Sequence, residues 1–319
     1  MAALVLFAPA VRLLAQDHLL NASYDVSREL FQEINPAFAA QWKTETGRDI
    51  QIRQSHVGSS QQARAVLDGL PADVVTLNQV PDLELLAAAH VIAADWRSRL
   101  PDHAAPYTSV TAFVVGAGNP RQIHDWDDLV RPGIRVALVN PKTSGNGRYT
   151  FLAAWAFGLR HFGGDVPKTR AFVAELYRHV PALAQGGRAA TTIFAERGLA
   201  DVLVTFESEA SVLETGVNGK KFELVNPSAT LLVEFPVSVV DRVVDHDGNR
   251  KAAEAYLRFL YSEPGQKIIA NHGFRPRIGG PAPAATVLDV EATFGGWPQI
   301  QRQFFADGAI FDQIIEKTY

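Results

Sequence analysis

The chain runs to 319 residues with 47% hydrophobic and 20% charged side chains, enough for two domains with separate cores and incompatible with a disordered polypeptide. Its 30 basic and 34 acidic residues leave a net charge of -4, and no lysine or arginine block interleaves with aromatics, which argues against a nucleic-acid partner. The absence of cysteine excludes disulfides, thiolate metal sites and thiol catalysis.

The first stretch, Met1 to Ala15, is apolar with small residues near Ala15 and Ala22, the pattern of the end of a secretory signal. It lacks a positive n-region and Arg12 interrupts it, so residues 1–17 read as the remnant of a clipped or mis-started signal peptide. It is far short of the ~20 apolar residues of a membrane span, and no other segment would span one. Ser23-Tyr-Asp25-Val-Ser-Arg28 then precedes a helix with Leu30, Ile34, Phe38 and Trp42 at four-residue steps, expected to kink or restart at Asn35-Pro36. Alternation over Asp49 to Gln54 predicts a strand, and Ala63, Val66, Leu67 and Leu70 predict a helix, with the small-residue loop His56-Val-Gly-Ser-Ser60 between them. A strand over Asp73 to Leu77 and a helix over Pro81 to His90 complete a run of βαβ grammar.

Past the proline-punctuated stretch from Leu100 to Tyr107, a strand at Val110 to Val115 marks the first crossover into a second unit. That unit reads as strand Arg135 to Val139, helices Arg148 to Phe162, Val166 to Tyr177 and Ala190 to Arg197, and strand Asp201 to Phe206. Leu231 to Val240 suits an extended return crossover, and helices after Asn249 would rejoin the first unit. The division is therefore 18–108 with 240–319 as lobe I and 109–239 as lobe II, in an α/β fold of two lobes, each a mixed sheet flanked by helices.

Small-residue helix starts recur. Ser144, Gly145 and Asn146, within Val139-Asn-Pro-Lys-Thr-Ser-Gly-Asn-Gly-Arg148, stand where a strand feeds a helix, and Gln185-Gly-Gly-Arg188 does the same after a two-glycine turn. With Ser23 to Arg28 and His56 to Ser60, two such starts fall in each lobe. Each could be an ordinary cap. Each could also hold an anion on unpaired N–H groups and partial positive charge, and in open α/β sheets such loops gather at the carboxyl ends of the strands.

Enzymatic motifs are missing. The nine histidines never fall three to five apart, there is no nucleophile elbow or phosphate-binding P-loop, and Gly145-Asn-Gly147 lacks the third glycine of a dinucleotide fingerprint. Glu207 and Glu209 read as either an acid-base pair or solvated, capping side chains. No catalytic residue, metal ligand or cofactor is expected. A fully ionised tetrahedral dianion, by contrast, has only acceptors and needs only donors. Hydrogen bonds to a charged group contribute about 1.5 to 3 kcal/mol each, so several suffice for about micromolar affinity after desolvation. Phosphate also needs an acceptor for its proton; Asp25 is the candidate, although at a helix start its side chain would rather cap its own helix.

Leu20 to Leu30, Gln54-Ser-His56, Gln62 to Val66, Ala72 to Leu77, Ala105 to Thr108, Asn140 to Asn146, Phe194 to Leu199 and Phe294-Gly-Gly-Trp-Pro298 together resemble the periplasmic sulfate- and thiosulfate-binding proteins of bacterial ABC importers. The resemblance implies a type II periplasmic binding protein fold, a monomer holding sulfate or thiosulfate in an interlobe cleft for an ABC permease complex. By matching position it implies ligand contacts at Asp25, Ser59, Ser144, Gly145, Asn146 and Gly187, mostly through backbone N–H groups, with the Ser144 hydroxyl added. Phe206 stands where sulfate-type members carry a donor tryptophan, and Asn146 where they carry glycine; both are similar to the thiosulfate-type branch. Phe206 is then a ligand wall or a core aromatic behind it. Val57 and Ser60 replace family glycines, and Asn78-Gln-Val-Pro-Asp82 replaces a segment that usually carries Ala-Tyr-Asp. These changes admit an alternative, a diverged sensor or adaptor that docks on a protein and binds anion weakly or not at all.

Overall fold

The computed structural model describes residues 17–214, 219–280 and 287–316; the signal-peptide reading of the first residues lies almost entirely outside them. The first sheet has the order β2-β1-β3-β9, from β1 (Asp17–Tyr24), β2 (Ile50–Val57), β3 (Val74–Thr76) and β9 (Val237–Val239). β1 runs parallel to β2 and β3, with Tyr24 opposite Val57 and Ser23 opposite Thr76, while β9 is antiparallel to β3. Helices α1 (Arg28–Thr46), α2 (Ser59–Leu67) and α3 (Val80–Ala88) follow these strands, and α4 (Pro101–Ala104) leads to the second sheet. α1 passes through Asn35-Pro36 without a restart. Ile34 and Phe38 are buried on either side while Pro36 faces solvent, as does Gln32, whose carbonyl loses its helical donor to water.

The second sheet is ordered β11-β8-β4-β6-β5, with β7 and β10 also on β4. Its strands are β4 (Tyr107–Gly116), β5 (Val136–Ala137), β6 (Val202–Phe206), β7 (Phe222–Val225), β8 (Thr230–Glu234), β10 (Arg275–Pro276) and β11 (Val287–Leu288). β5 is parallel to β6, and a parallel bridge joins Val139 to Ala184. Helix α5 (Gly145–His161) begins three residues earlier than the apolar spacing predicts, and α7 (Gly187–Thr191), which runs into a π-turn at Thr192–Glu196, also begins three earlier. α6 is Val166–Arg178, and α8 (Glu207–Glu214), not foreseen as a helix, follows β6 directly. The expected extended return is split between the sheets: β8 pairs with β4, β9 with β3, and Phe235-Pro236 lies between them.

Phe235 sits at this passage in an aromatic cluster drawn from both sheets. Its ring is 5.3 Å from Tyr24, 5.1 Å from Tyr107, 5.5 Å from Phe206 and 5.2 Å from Phe274. α9 (Asp241–Asp247), α10 (Arg250–Phe259) and α11 (Glu263–Asn271) follow β9, and α10 and α11 pack against β9 and α1. The last elements, α12 (Val290–Phe294), α13 (Trp297–Ile300) and α14 (Ile310–Ile315), which the sequence grouped with 240–319, touch both units: α13 contacts α3, while their other packing is on the second sheet's side. β11 pairs with β8, α14 packs on α6, and Phe304, Phe305 and Phe311 surround Phe151 of α5 at 5.5 to 5.9 Å. α5 is buried from Gly145 to Gly158 except at the half-buried Arg148, so it needs a cover on the face away from the sheet, and the tail supplies it.

Phe151→Ala should therefore cost about 3 to 5 kcal/mol in denaturant unfolding, with faster proteolytic loss of the tail. A change under about 1 kcal/mol would show that the tail does not depend on this ring.

Candidate functional site

Parallel pairing in the first sheet sets one edge of the site. Because Tyr24 pairs with Val57 and Ser23 with Thr76, the residues just beyond the strand ends, Asp25, Gly58-Ser59 and Leu77-Asn78, emerge side by side. The Ser59 hydroxyl donates to Asp82 Oδ2 at 2.6 Å and accepts from the Asn78 N–H at 3.2 Å. Gln79 Nε2 donates to the same Asp82 oxygen at 2.8 Å and to Ser60 Oγ at 2.7 Å. The Ser59 side chain is thus committed, which leaves its N–H as the group able to face a ligand. Val57 and Ser60, where the resemblance raised the question of glycine, both have negative φ, so neither strains the loop.

The second sheet supplies the facing edge. The Val139–Ala184 bridge sets the Asn140–Ser144 loop beside Gln185–Gly187, and Thr143 Oγ1 donates to the Gln185 carbonyl at 2.8 Å. Lys142 Nζ braces this loop from behind, donating to the Phe305 carbonyl and pairing with Asp312, each at 2.9 Å. Asn146 Nδ2 donates to Thr205 Oγ1 at 2.9 Å. Phe206 is fully buried at the end of β6, with its ring edge-on to Phe235 and to Tyr149, so all its described ring contacts are with aromatics of the core.

The two edges meet at close range. A Cβ on Gly58 would stand 2.9 Å from the Thr143 carbonyl oxygen, and one on Gly187 2.7 Å from Val26 Cγ1. Asp25 crosses the gap: its Oδ2 accepts from the Arg188 N–H at 3.1 Å, so it caps α7 in the facing unit instead of its own helix. Glu29 pairs with the Arg188 guanidinium at 2.7 Å beside it. Asp25, Ser59, Ser144, Gly145, Asn146 and Gly187 are therefore brought together from both sheets. Phe206 is linked to them through its neighbour Thr205.

This junction is rich in unpartnered donors. None of α2, α5 and α7 has a side-chain cap at its first turn from its own N-cap residue, whereas Asp165, Ser262 and Asp289 cap α6, α11 and α12. Among the described residues the N–H groups of Asp25, Ser59, Gly145, Asn146 and Gly187 make no hydrogen bond, and the Ser144 hydroxyl is buried without a partner. The Ser144 N–H is already bonded to the Asn140 carbonyl, so Ser144 offers only its hydroxyl. Such a set suits a ligand made of acceptors. Among the described residues no cluster of histidines and carboxylates could hold a metal ion.

Two charged residues here were not singled out from the sequence. Asp82 on α3 is buried and Arg148, in the first turn of α5, is half-buried, and both line one cavity at the junction. Burial pushes the Asp82 carboxyl up and the Arg148 guanidinium down, and each charge counteracts the shift of the other. Arg148 is also held by the Pro141 carbonyl at 3.0 Å and stacks over Phe305. Periodicity marks both only as polar residues in a first helical turn, and nothing local signals that they are inside.

The profile of the family described as bacterial extracellular solute-binding protein matches residues 19–275. The thiosulfate-binding protein of Pseudomonas aeruginosa is 49% identical, over 94% of this chain and 92% of its own. The sulfate-binding protein of Escherichia coli K12 is 45% identical, over 97% and 96%. Among solved structures, the sulfate-binding protein SubI from Mycobacterium tuberculosis superposes with a TM-score of 0.82 at 34% identity, over 91% of this chain and all of that one. The two mixed sheets with flanking helices form the type II periplasmic binding protein fold.

Behind the α7 start lies a further carboxylate, Glu209, which accepts from Thr191 Oγ1 at 2.8 Å. Burial raises it from its usual 4.5 to about 7, with Asp25 and Glu29 adding to the shift and Arg188 and Thr191 opposing it. A folded value above the unfolded one means that folding takes up a proton between about pH 4.5 and 7, so stability falls as pH rises through that window. Glu209→Gln should flatten this part of the stability profile by about 3 kcal/mol. Urea titrations at intervals from pH 4.5 to 7.5 test this, and parallel profiles for the two proteins would refute it.

Proposed function

The chain belongs to the bacterial extracellular solute-binding protein family, and we propose that it is exported to the periplasm, captures sulfate or thiosulfate between its two lobes and delivers the anion to an ABC permease complex. It acts in this reading as a monomer and without chemistry of its own. Residues 18–108 with 240–280 form one closing body, and 109–239 with the tail 287–316 form the other. The anion is held by the N–H groups of Asp25, Ser59, Gly145, Asn146 and Gly187 and by the Ser144 hydroxyl, with Phe206 as the wall behind them.

The observation that carries this reading is the convergence of unpartnered donors from both sheets on one junction. A dianion accepts from all of them, and the partial positive ends of α2 and α5 add their attraction. Asp25 shows how the site tolerates a carboxylate beside an anion: its charge is turned onto the α7 start. The high identity to binders of both anions supports sulfur oxyanions as the class. Phe206 offers no donor, so the wall it forms accommodates the softer sulfur of thiosulfate as readily as a fourth oxygen.

Titration with sulfate, thiosulfate, phosphate and molybdate while following the melting temperature tests the reading. The cognate anion at a hundredfold excess over its Kd should stabilise the protein by about 2.7 kcal/mol, and no shift with any of the four would refute it. Ser144→Ala should weaken binding more than about tenfold, because a buried charged acceptor loses a donor. Unchanged affinity on calorimetry would place the Ser144 hydroxyl outside the site.

A further inference from the structure

Asn78 is a buried side chain at the junction whose amide has no assigned work. Its backbone is fixed on both sides: the Asn78 N–H donates to Ser59 Oγ at 3.2 Å, and the preceding Leu77 N–H donates to the Pro236 carbonyl at 3.0 Å. The residue is 1% exposed. Its amide oxygen is buried without a partner, and neither end of the amide bonds to any described residue. Burying an amide strips water from it with no return, so an unpaired one marks either a defect or a partner that arrives later.

The direction of the side chain decides between these. The amide oxygen occupies the place where a side chain on Gly145 would begin, and Asn78 Cγ would be 3.1 Å from such a Cβ. Asn78 thus reaches across from the first sheet to the first residue of α5, whose N–H is unpartnered, next to the unpartnered Ser144 hydroxyl. The other amide nitrogens around this helix start are engaged: Gln79 Nε2 serves Ser60 and Asp82, and Asn146 Nδ2 serves Thr205. Gln79 Oε1 is also buried without a partner, but with its nitrogen committed Gln79 has no donor to offer.

We propose that Asn78 is a further anion-contacting and specificity-determining residue of this cleft, its amide Nδ2 donating to the bound oxyanion from the first sheet opposite Ser144. The inference rests on the proposed function. A half-turn about the last side-chain torsion exchanges oxygen for nitrogen without changing the shape of the amide, and a fully ionised anion selects the donor end. The contact supplies a side-chain donor that Phe206 lacks, from the opposite wall. A protonated anion, which has a hydrogen to give, would be met by the oxygen instead.

Calorimetric titration of the full chain with sodium sulfate, sodium thiosulfate and sodium phosphate tests this on the unmodified protein, Asn78→Ala, Asn78→Asp and Ser144→Ala. Asn78→Ala should weaken sulfate and thiosulfate binding about ten- to hundredfold. Asn78→Asp, of nearly the same shape but with only acceptors and a charge, should be weaker by at least a further factor of about ten while moving selectivity toward hydrogen phosphate. That change of preference is one that a packing role would not produce. Asn78→Ala binding within about twofold of the unmodified protein, or more tightly, overturns the inference, as does Asn78→Asp binding no more weakly than Asn78→Ala. If Ser144→Ala weakens binding and Asn78→Ala does not, this inference alone falls. If the unmodified protein binds none of the anions, the proposed function falls and takes this inference with it.

Discussion

Unpartnered N–H groups at helix starts, pointed at one another from two sheets, are the constraint on which the rest of the structure turns. A buried donor without an acceptor is costly, and here most of the donors belong to the backbone, so no substitution other than proline removes them. One is satisfied from within the molecule, the Arg188 N–H by Asp25 of the facing unit. The others, at Ser59, Gly145, Asn146 and Gly187, share a common need. An acceptor-rich guest meets it most completely when both sheets close on it, which makes closure and recognition a single event.

The surrounding fold serves to hold these few groups still. Asp82 fixes the α2 start by engaging Ser59 and Gln79, while Lys142 and Arg148 tie the Asn140–Ser144 loop to the C-terminal tail. Each edge therefore has a charged residue behind it, buried at Asp82 and half-buried at Arg148, whose opposite charges act on each other. Phe235, between the two strands of the return passage, keeps aromatic rings of both sheets in contact where the chain crosses.

Much of this was legible in the sequence, because it depends on local grammar. Alternation and helical spacing located the strands and helices, and the recurrence of Ser, Gly and Asn before helices marked every start that meets at the junction. What the sequence hid was of two kinds. Some of it was long-range: Asp25 capping α7, the tail covering α5 and the cavity that brings Asp82 and Arg148 together all join residues far apart in the chain, and no periodicity records them. The rest was a matter of boundaries. α5 and α7 begin three residues ahead of their apolar pattern, since polar and glycine residues open a helix without announcing it. Pro36 misled in the opposite direction, because a proline on the solvent face of a well-packed helix leaves its lost bond to water.

Gly58 lets one edge touch the Thr143 carbonyl main chain to main chain, Gly145 and Gly187 admit the Asn78 and Val26 side chains, and the unpartnered donors left at the junction are mostly peptide groups, which has an evolutionary consequence. A recognition surface made of peptide groups presents the same chemistry whatever residues flank it, so most mutations pass through it unread. Adaptation to a new cargo then has a narrow vocabulary, confined to the handful of side chains that still reach the guest. Over long divergence such a cleft would hold its ligand class fixed while the rest of the sequence drifts, and would change that class abruptly, one side chain at a time.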